Sequence, residues 1–107
     1  MNRAFAGRPA SIQLSMHICR GNNQSHSSAV GGYDLAADIL FNQVDVDSYF
    51  LEYDTRRAGT FEPLRLVPKH KTVVLGLVSS KFPELESKNA LKRRIDIAAR
   101  FIDLDQL

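Results

Sequence analysis

The sequence predicts an α/β protein built from about three consecutive βα units with parallel strands, and three observations predict it. Segments rich in Val, Ile, Leu, Phe and Tyr recur at 12–19, 48–53 and 72–79. Helical patterns follow each of them, around 33–42, 61–66 and 87–102. The third apolar segment is almost continuous, with Val73, Val74, Leu75, Leu77 and Val78, which is the mark of a parallel strand buried on both faces. Strands and helices in strict alternation call for parallel strands joined by crossover connections.

Taken in order, MNRAFAGRP supplies what reads as the tail of a helix, and 12–19 is the first strand, ending in His17-Ile18-Cys19. The run NNQSHSS from Asn22 to Ser28 is a polar loop of the kind that follows a strand and carries function. Past Gly31 and Gly32, Leu35, Ala36, Ile39 and Leu40 repeat at helical spacing while Asp34 and Asp38 fall on another face, so 33–42 reads as an amphipathic helix. The second strand, 48–53, precedes a shorter helix near 61–66, and the third strand is 72–79. In the last helix Ser87 serves as N-cap and Leu91, Ile95, Ala98 and Ile102 fall at i, i+4, i+7 and i+11, which carries the helix to about 102.

A three-stranded parallel sheet has two open edges and makes a poor domain, so self-association through those edges is expected. The sequence opens on a helix tail and stops just after a helix, which reads as residues 1–107 being a fragment of a larger βα protein. A complete (β/α)8 barrel takes about 250 residues, and three units are fewer than half of one. The fold expectation is therefore a partial (β/α)8 TIM barrel.

Composition narrows the function classes. At 107 residues, with 44% hydrophobic and 24% charged residues, the chain has the make-up of an ordinary globular protein. Fourteen Lys and Arg against twelve Asp and Glu leave +2, and the basic residues are scattered, so no nucleic-acid partner is expected. The longest apolar runs are far too short to cross a bilayer and no signal-peptide pattern opens the chain. A cytoplasmic protein with no membrane partner is the expectation. The single cysteine, Cys19, excludes an internal disulfide and leaves that thiol as nucleophile, metal ligand or small apolar filler.

In βα architectures the working residues collect at the carboxyl ends of the strands. Alternation puts His17 and Cys19 on one face of the first strand, and Glu52 ends the second at a comparable height. An imidazole, a thiol and a carboxylate so placed suit zinc, which accepts nitrogen, sulfur and oxygen donors. His-x-Cys alone is more commonly the pattern of a hydrogen-bonded histidine beside a buried cysteine. His26 reads as a solvent-facing loop residue, Asp54, Arg56 and Arg57 as a solvated loop, and Lys81 as either a solvated lysine or an electrostatic contact to a ligand.

The longer runs SMHICRGN, DVDSYFLEYD and VVLGLVSSKFPELES together resemble the carboxyl-terminal catalytic barrel of cobalamin-independent methionine synthase and its shorter relatives, over essentially the whole chain. The resemblance implies that His17 and Cys19 are two zinc ligands, that Asn22 fills the family's Asn position three residues on, and that Glu52 is the third ligand. The fourth, a cysteine on the family's last strand, has no counterpart here. Gly76 and Pro83 match the family's next strand end, while Ser79 stands where Asp is usual and Lys81 where His is usual. The implied activity is zinc-dependent methylation of homocysteine to methionine, with methyltetrahydrofolate or another methyl donor as second substrate. The replacement at Lys81 points to a donor other than the folate. The competing expectation is an inactive truncated fragment or zinc-binding interaction module, and a third is a related barrel enzyme with a different acceptor.

Overall fold

Strands β1 (Ser15–Ile18), β2 (Ser48–Glu52) and β3 (Thr72–Gly76) form one parallel sheet in the order β1-β2-β3, in a computed structural model that describes residues 1–19 and 32–107. The register sets His17 beside Phe50 and Phe50 beside Val74, with Leu51 beside Leu75 one step further and Glu52 beside Gly76 two steps further. All three strands therefore end at one edge. The parallel α/β sheet is as the sequence predicts; three strands do not by themselves show a barrel.

Each strand is shorter than its apolar segment. Residues 12–14 are an approach to β1, fixed by hydrogen bonds between Leu14 and Asp47, and β3 stops at Gly76, after which Leu77 N–H turns back to the Leu75 carbonyl at 3.0 Å. A one-turn helix, α1 (Asn2–Phe5), opens the chain.

The core lies on one face of the sheet. Tyr49 and Leu51 of β2 and Val73 of β3 point into it and pack with Tyr33, Phe41, Leu64, Ala98 and Ile102. On the opposite face Phe50 and Val74 remain 42% and 44% exposed. The expectation that β3 is buried on both faces is thus corrected: among the described residues only one face is covered, and the apolar run reflects one buried and one open layer.

Two further corrections concern the helices. The segment predicted as a helix over 33–42 is helical only in its second half, where Ala37 and Asp38 lead into a wide π-type stretch, Ile39–Gln43, after looser turns over 34–36. Its core-facing stripe is Tyr33, Ala37 and Phe41, whereas Leu35 is fully exposed and Ile39 mostly so. Both stripes have helical spacing. The aromatic one wins because it buries more apolar area and because the Tyr33 hydroxyl finds polar partners on β2. The last helix, α2 (Lys88–Ala98), is capped as predicted, with Ser87 Oγ accepting from Ala90 N–H at 3.1 Å. It ends four residues early, and Ala98 and Ile102 reach the core while Ile95 stays partly exposed. The short helix near 61–66 is a 3₁₀ segment, Glu62–Leu66, which buries Leu64 completely.

Asp47 ties the first two strands together at their amino ends. Its Oδ2 accepts from Leu14 N–H at 2.8 Å and from the Arg8 guanidinium at 2.7 Å. The Arg8 hydrogen bond, followed by that from Leu14, holds the Asp47 carboxyl down at about 2. A carboxyl whose native pKa lies below its unfolded value of roughly 3.9 contributes stability above that value and loses it as pH falls through about 2. Asp47→Asn should therefore flatten the acid limb of the stability curve between about pH 4 and pH 2. Denaturant melts of both proteins across that range check it, and parallel acid limbs would refute it.

Candidate functional site

The shared carboxyl edge of the sheet opens into a cleft of about 270 Å³ on the face away from the core. His17 and Cys19 of the first strand segment, Glu52 and Asp54 of the second, and Gly76 and Lys81 of the third line it, with Phe50, Val74 and Val78 as its apolar wall. The pleat explains the selection: His17 and Cys19 alternate onto the open face with Phe50 and Val74, and Glu52 follows Phe50 by two. His17 and Cys19 are both exposed. Gly76 keeps the floor clear, since a Cβ there would stand 3.1 Å from the Leu51 carbonyl oxygen.

Glu52 is fixed twice. Its main-chain N–H donates to the Tyr33 hydroxyl at 2.9 Å, and that hydroxyl in turn donates to the Glu52 carbonyl at 3.2 Å. The Tyr33 ring packs on Tyr53, centroids 5.2 Å apart, so the hydroxyl is held by core packing. The Glu52 carboxylate accepts from Lys81 Nζ at 2.7 Å.

Lys81 lies between two carboxylates, since Nζ also donates to Asp54 Oδ2 at 2.9 Å, and its side chain is only 7% exposed. Ser79 organises this pair: its Oγ donates to the same Asp54 oxygen at 2.8 Å and accepts from Lys81 N–H at 3.2 Å. Glu86 accepts from Ser79 N–H at 2.8 Å, which anchors the turn. The hydrogen bond to Glu52, partly opposed by burial and reinforced by Asp54, raises the Lys81 pKa above that of an ordinary lysine. Burial pushes the Asp54 carboxyl up, but the hydrogen bonds from Lys81 and Ser79 prevail and hold it below the usual carboxylate range.

The three residues expected as ligands, His17, Cys19 and Glu52, thus share one cleft. Their donor types are those zinc accepts. They are not gathered as a finished ligand set: among the described residues no three His, Cys, Asp or Glu side chains stand close enough to hold one metal ion. The Glu52 carboxylate is turned to Lys81. The donor types fit zinc in kind, and in this arrangement one oxygen of the Glu52 carboxylate is engaged by Lys81. Asn22 and His26 lie outside the described residues.

Two expectations are corrected. Asp54 is not part of a solvated loop, and Lys81 is not a solvated lysine; both side chains are almost fully buried and paired. The spacing was a usable signal, because Asp54 follows Glu52 by two and so falls on the same face. Arg56 and Arg57 do form an exposed 3₁₀ turn. Among the described residues no helix is long and apolar enough to cross a membrane.

No family model matches the chain. Over 108 aligned positions covering all of it, the chain is 53% identical to "Uncharacterized protein YxjG" and 50% identical to "Uncharacterized protein YxjH", both of Bacillus subtilis (strain 168). It also matches the crystal structure of the "Putative Vitamin-B12 Independent Methionine Synthase" from Listeria monocytogenes, with a TM-score of 0.74 and 34% identity over 99% of the chain. In each case the chain spans 29% of the length of the protein it matches.

Proposed function

We propose that this chain is the zinc-ligand portion of a thiol methyltransferase of the cobalamin-independent methionine synthase type, belonging to a (β/α)8 barrel, with homocysteine as the methyl acceptor. The observation that carries the reading is that His17, Cys19 and Glu52 line one cleft at the carboxyl edge of a parallel sheet. The 34% identity to the Listeria protein supports the same reading.

Methyl transfer to sulfur needs a thiolate, and a thiol of pKa near 8.5 is mostly protonated at neutral pH. Zinc, when bound, supplies the positive charge that deprotonates a thiol while leaving its sulfur nucleophilic. His17, Cys19 and Glu52 would hold the ion. Tyr33 fixes the backbone of Glu52, so that only the carboxylate needs to move. Phe50, Val74 and Val78 give the cleft an apolar wall against which the methyl group of a donor can pack. Ser79 and Lys81, at the positions where the family usually has Asp and His, face the Asp54 and Glu52 carboxylates. That arrangement favours a methyl donor other than methyltetrahydrofolate.

An inactive fragment or zinc-binding module without turnover is the second reading, and the single cysteine, which leaves the family's fourth ligand without a counterpart in these 107 residues, favours it. The discriminating experiment incubates the full-length protein with homocysteine, zinc and methyl donors, methyltetrahydrofolate among them. Zinc-dependent methionine formation that a chelator abolishes is the expected result. Zinc binding with no methionine from any donor would select the module instead.

A further inference from the structure

The carboxylate assigned to the metal already has a cation. Lys81 Nζ sits 2.7 Å from Glu52 and 2.9 Å from Asp54 with its side chain 7% exposed, in the same cleft as His17 and Cys19. We propose that Lys81 is an affinity-setting residue, the resident cation of the Glu52–Asp54 pair, which must yield Glu52 before a divalent cation can bind with His17 and Cys19. This rests on the zinc reading above and deepens it.

The geometry makes the exchange local. Asp54 Oδ2 receives hydrogen bonds from both Lys81 and Ser79, so Lys81 keeps one carboxylate partner when Glu52 turns away. Glu52 keeps its main-chain bonds to Tyr33 in either state. What changes is one carboxylate, from a univalent to a divalent partner. The cleft holds two carboxylates and one ammonium, so a divalent ion enters a site with one negative charge in excess, and the lysine lowers the affinity that the two carboxylates would otherwise give. A charge of this kind also discriminates between ions, because only a metal that gains enough from imidazole and thiolate displaces the lysine.

The test is a competition titration of Zn²⁺ against a chromophoric chelator on the full chain, repeated with Co²⁺, whose thiolate charge-transfer band reports Cys19 in the coordination shell. Lys81→Gln should bind about tenfold more tightly or better, with the Co²⁺ band unchanged, and Lys81→Arg should stay within about threefold of the unsubstituted chain. In a Glu52→Gln background the gain from Lys81→Gln should fall to about threefold or less, since the effect acts through Glu52. Unsubstituted protein supplies a second measurement that needs no variant to fold: Zn²⁺ should raise the acylation rate of Lys81 relative to the other lysines, read by mass spectrometry. Equal or weaker binding by Lys81→Gln, an equal gain without Glu52, or a Lys81 acylation rate indifferent to zinc would each overturn the proposal while leaving the zinc reading intact. Absence of zinc binding by both the unsubstituted chain and Lys81→Gln would overturn the zinc reading and this inference with it.

Discussion

Replacing Lys71 with methionine should cost the fold about 3 kcal/mol, measured by urea denaturation. Lys71 is 6% exposed and stands one residue before β3, from where its side chain reaches the end of the π-type turn. There Nζ donates to the Phe41 carbonyl at 3.0 Å, the Val44 carbonyl at 2.7 Å and the Tyr49 hydroxyl at 3.1 Å. A helical segment leaves its last carbonyls without partners, and a cation at that end meets both the hydrogen-bonding need and the dipole. Methionine keeps the apolar stem but donates nothing. The Val44 carbonyl keeps Val46 N–H at 3.0 Å and the Tyr49 hydroxyl at 3.3 Å, so the Phe41 carbonyl is the acceptor most affected. Hydrogen bonds from a charged donor are worth ~1.5–3 kcal/mol each, and relief from burying an ammonium offsets part of the total. Burial lowers the Lys71 pKa, against the opposing pull of Asp45 and Asp47. The native state therefore binds this proton more weakly than the unfolded chain does, and its stability gains as pH rises towards the ordinary lysine value of roughly 10.4. The deficit of the methionine variant should widen over the same range. A loss under about 1 kcal/mol would mean that the turn finds other donors.

The sheet was legible because its signal is redundant. Three apolar segments separated by helical patterns admit few topologies, and the parallel pairing follows from their order. The same apolar content misled on burial. A strand that faces an open cleft and a strand covered on both sides can carry the same Val-Val-Leu run, and nothing in β3 itself records that Val74 looks outward. The helix before β2 shows a related ambiguity. Leu35 and Ile39 form a valid stripe, yet Tyr33 and Phe41 displace them, through the hydrogen bonds between the Tyr33 hydroxyl and the Glu52 main chain and ring contacts with Tyr53 and Tyr49 that involve distant residues.

The site divides in the same way. That His17, Cys19 and Glu52 share one edge of the sheet was legible because strand alternation and strand ends fix where such side chains point. The network of Asp54, Ser79 and Lys81 was not, beyond the two-residue spacing of Asp54 from Glu52, because charged and hydroxyl residues in a turn have solvent as their default partner. Only the packing of one strand end against the next converts them into a buried network. Tyr33 escaped for a third reason: its role is carried by a hydroxyl that bonds to backbone, and such contacts leave no pattern in the sequence.

Cys19→Ala should lower zinc affinity on the order of 100-fold or more, a larger loss than the 10–100-fold typical of removing a residue that only supports a ligand. Of the three donor types, sulfur deprotonated by the metal itself is the one that binds zinc most strongly. Without it the ion would have His17 and a carboxylate already shared with Lys81. His26→Ala should leave the affinity nearly unchanged. Thermal denaturation gives an independent reading, because a ligand that binds only the native state stabilises it by RT ln(1 + [L]/Kd), about 2.7 kcal/mol at 100 times Kd. Zinc at that level should raise the melting temperature of the unsubstituted chain and of the His26 variant, and stabilise Cys19→Ala by no more than about 0.4 kcal/mol. Undiminished zinc stabilisation in the Cys19 variant would remove Cys19 from the ligand set and, with it, the pairing of donors on which the methyltransferase reading depends.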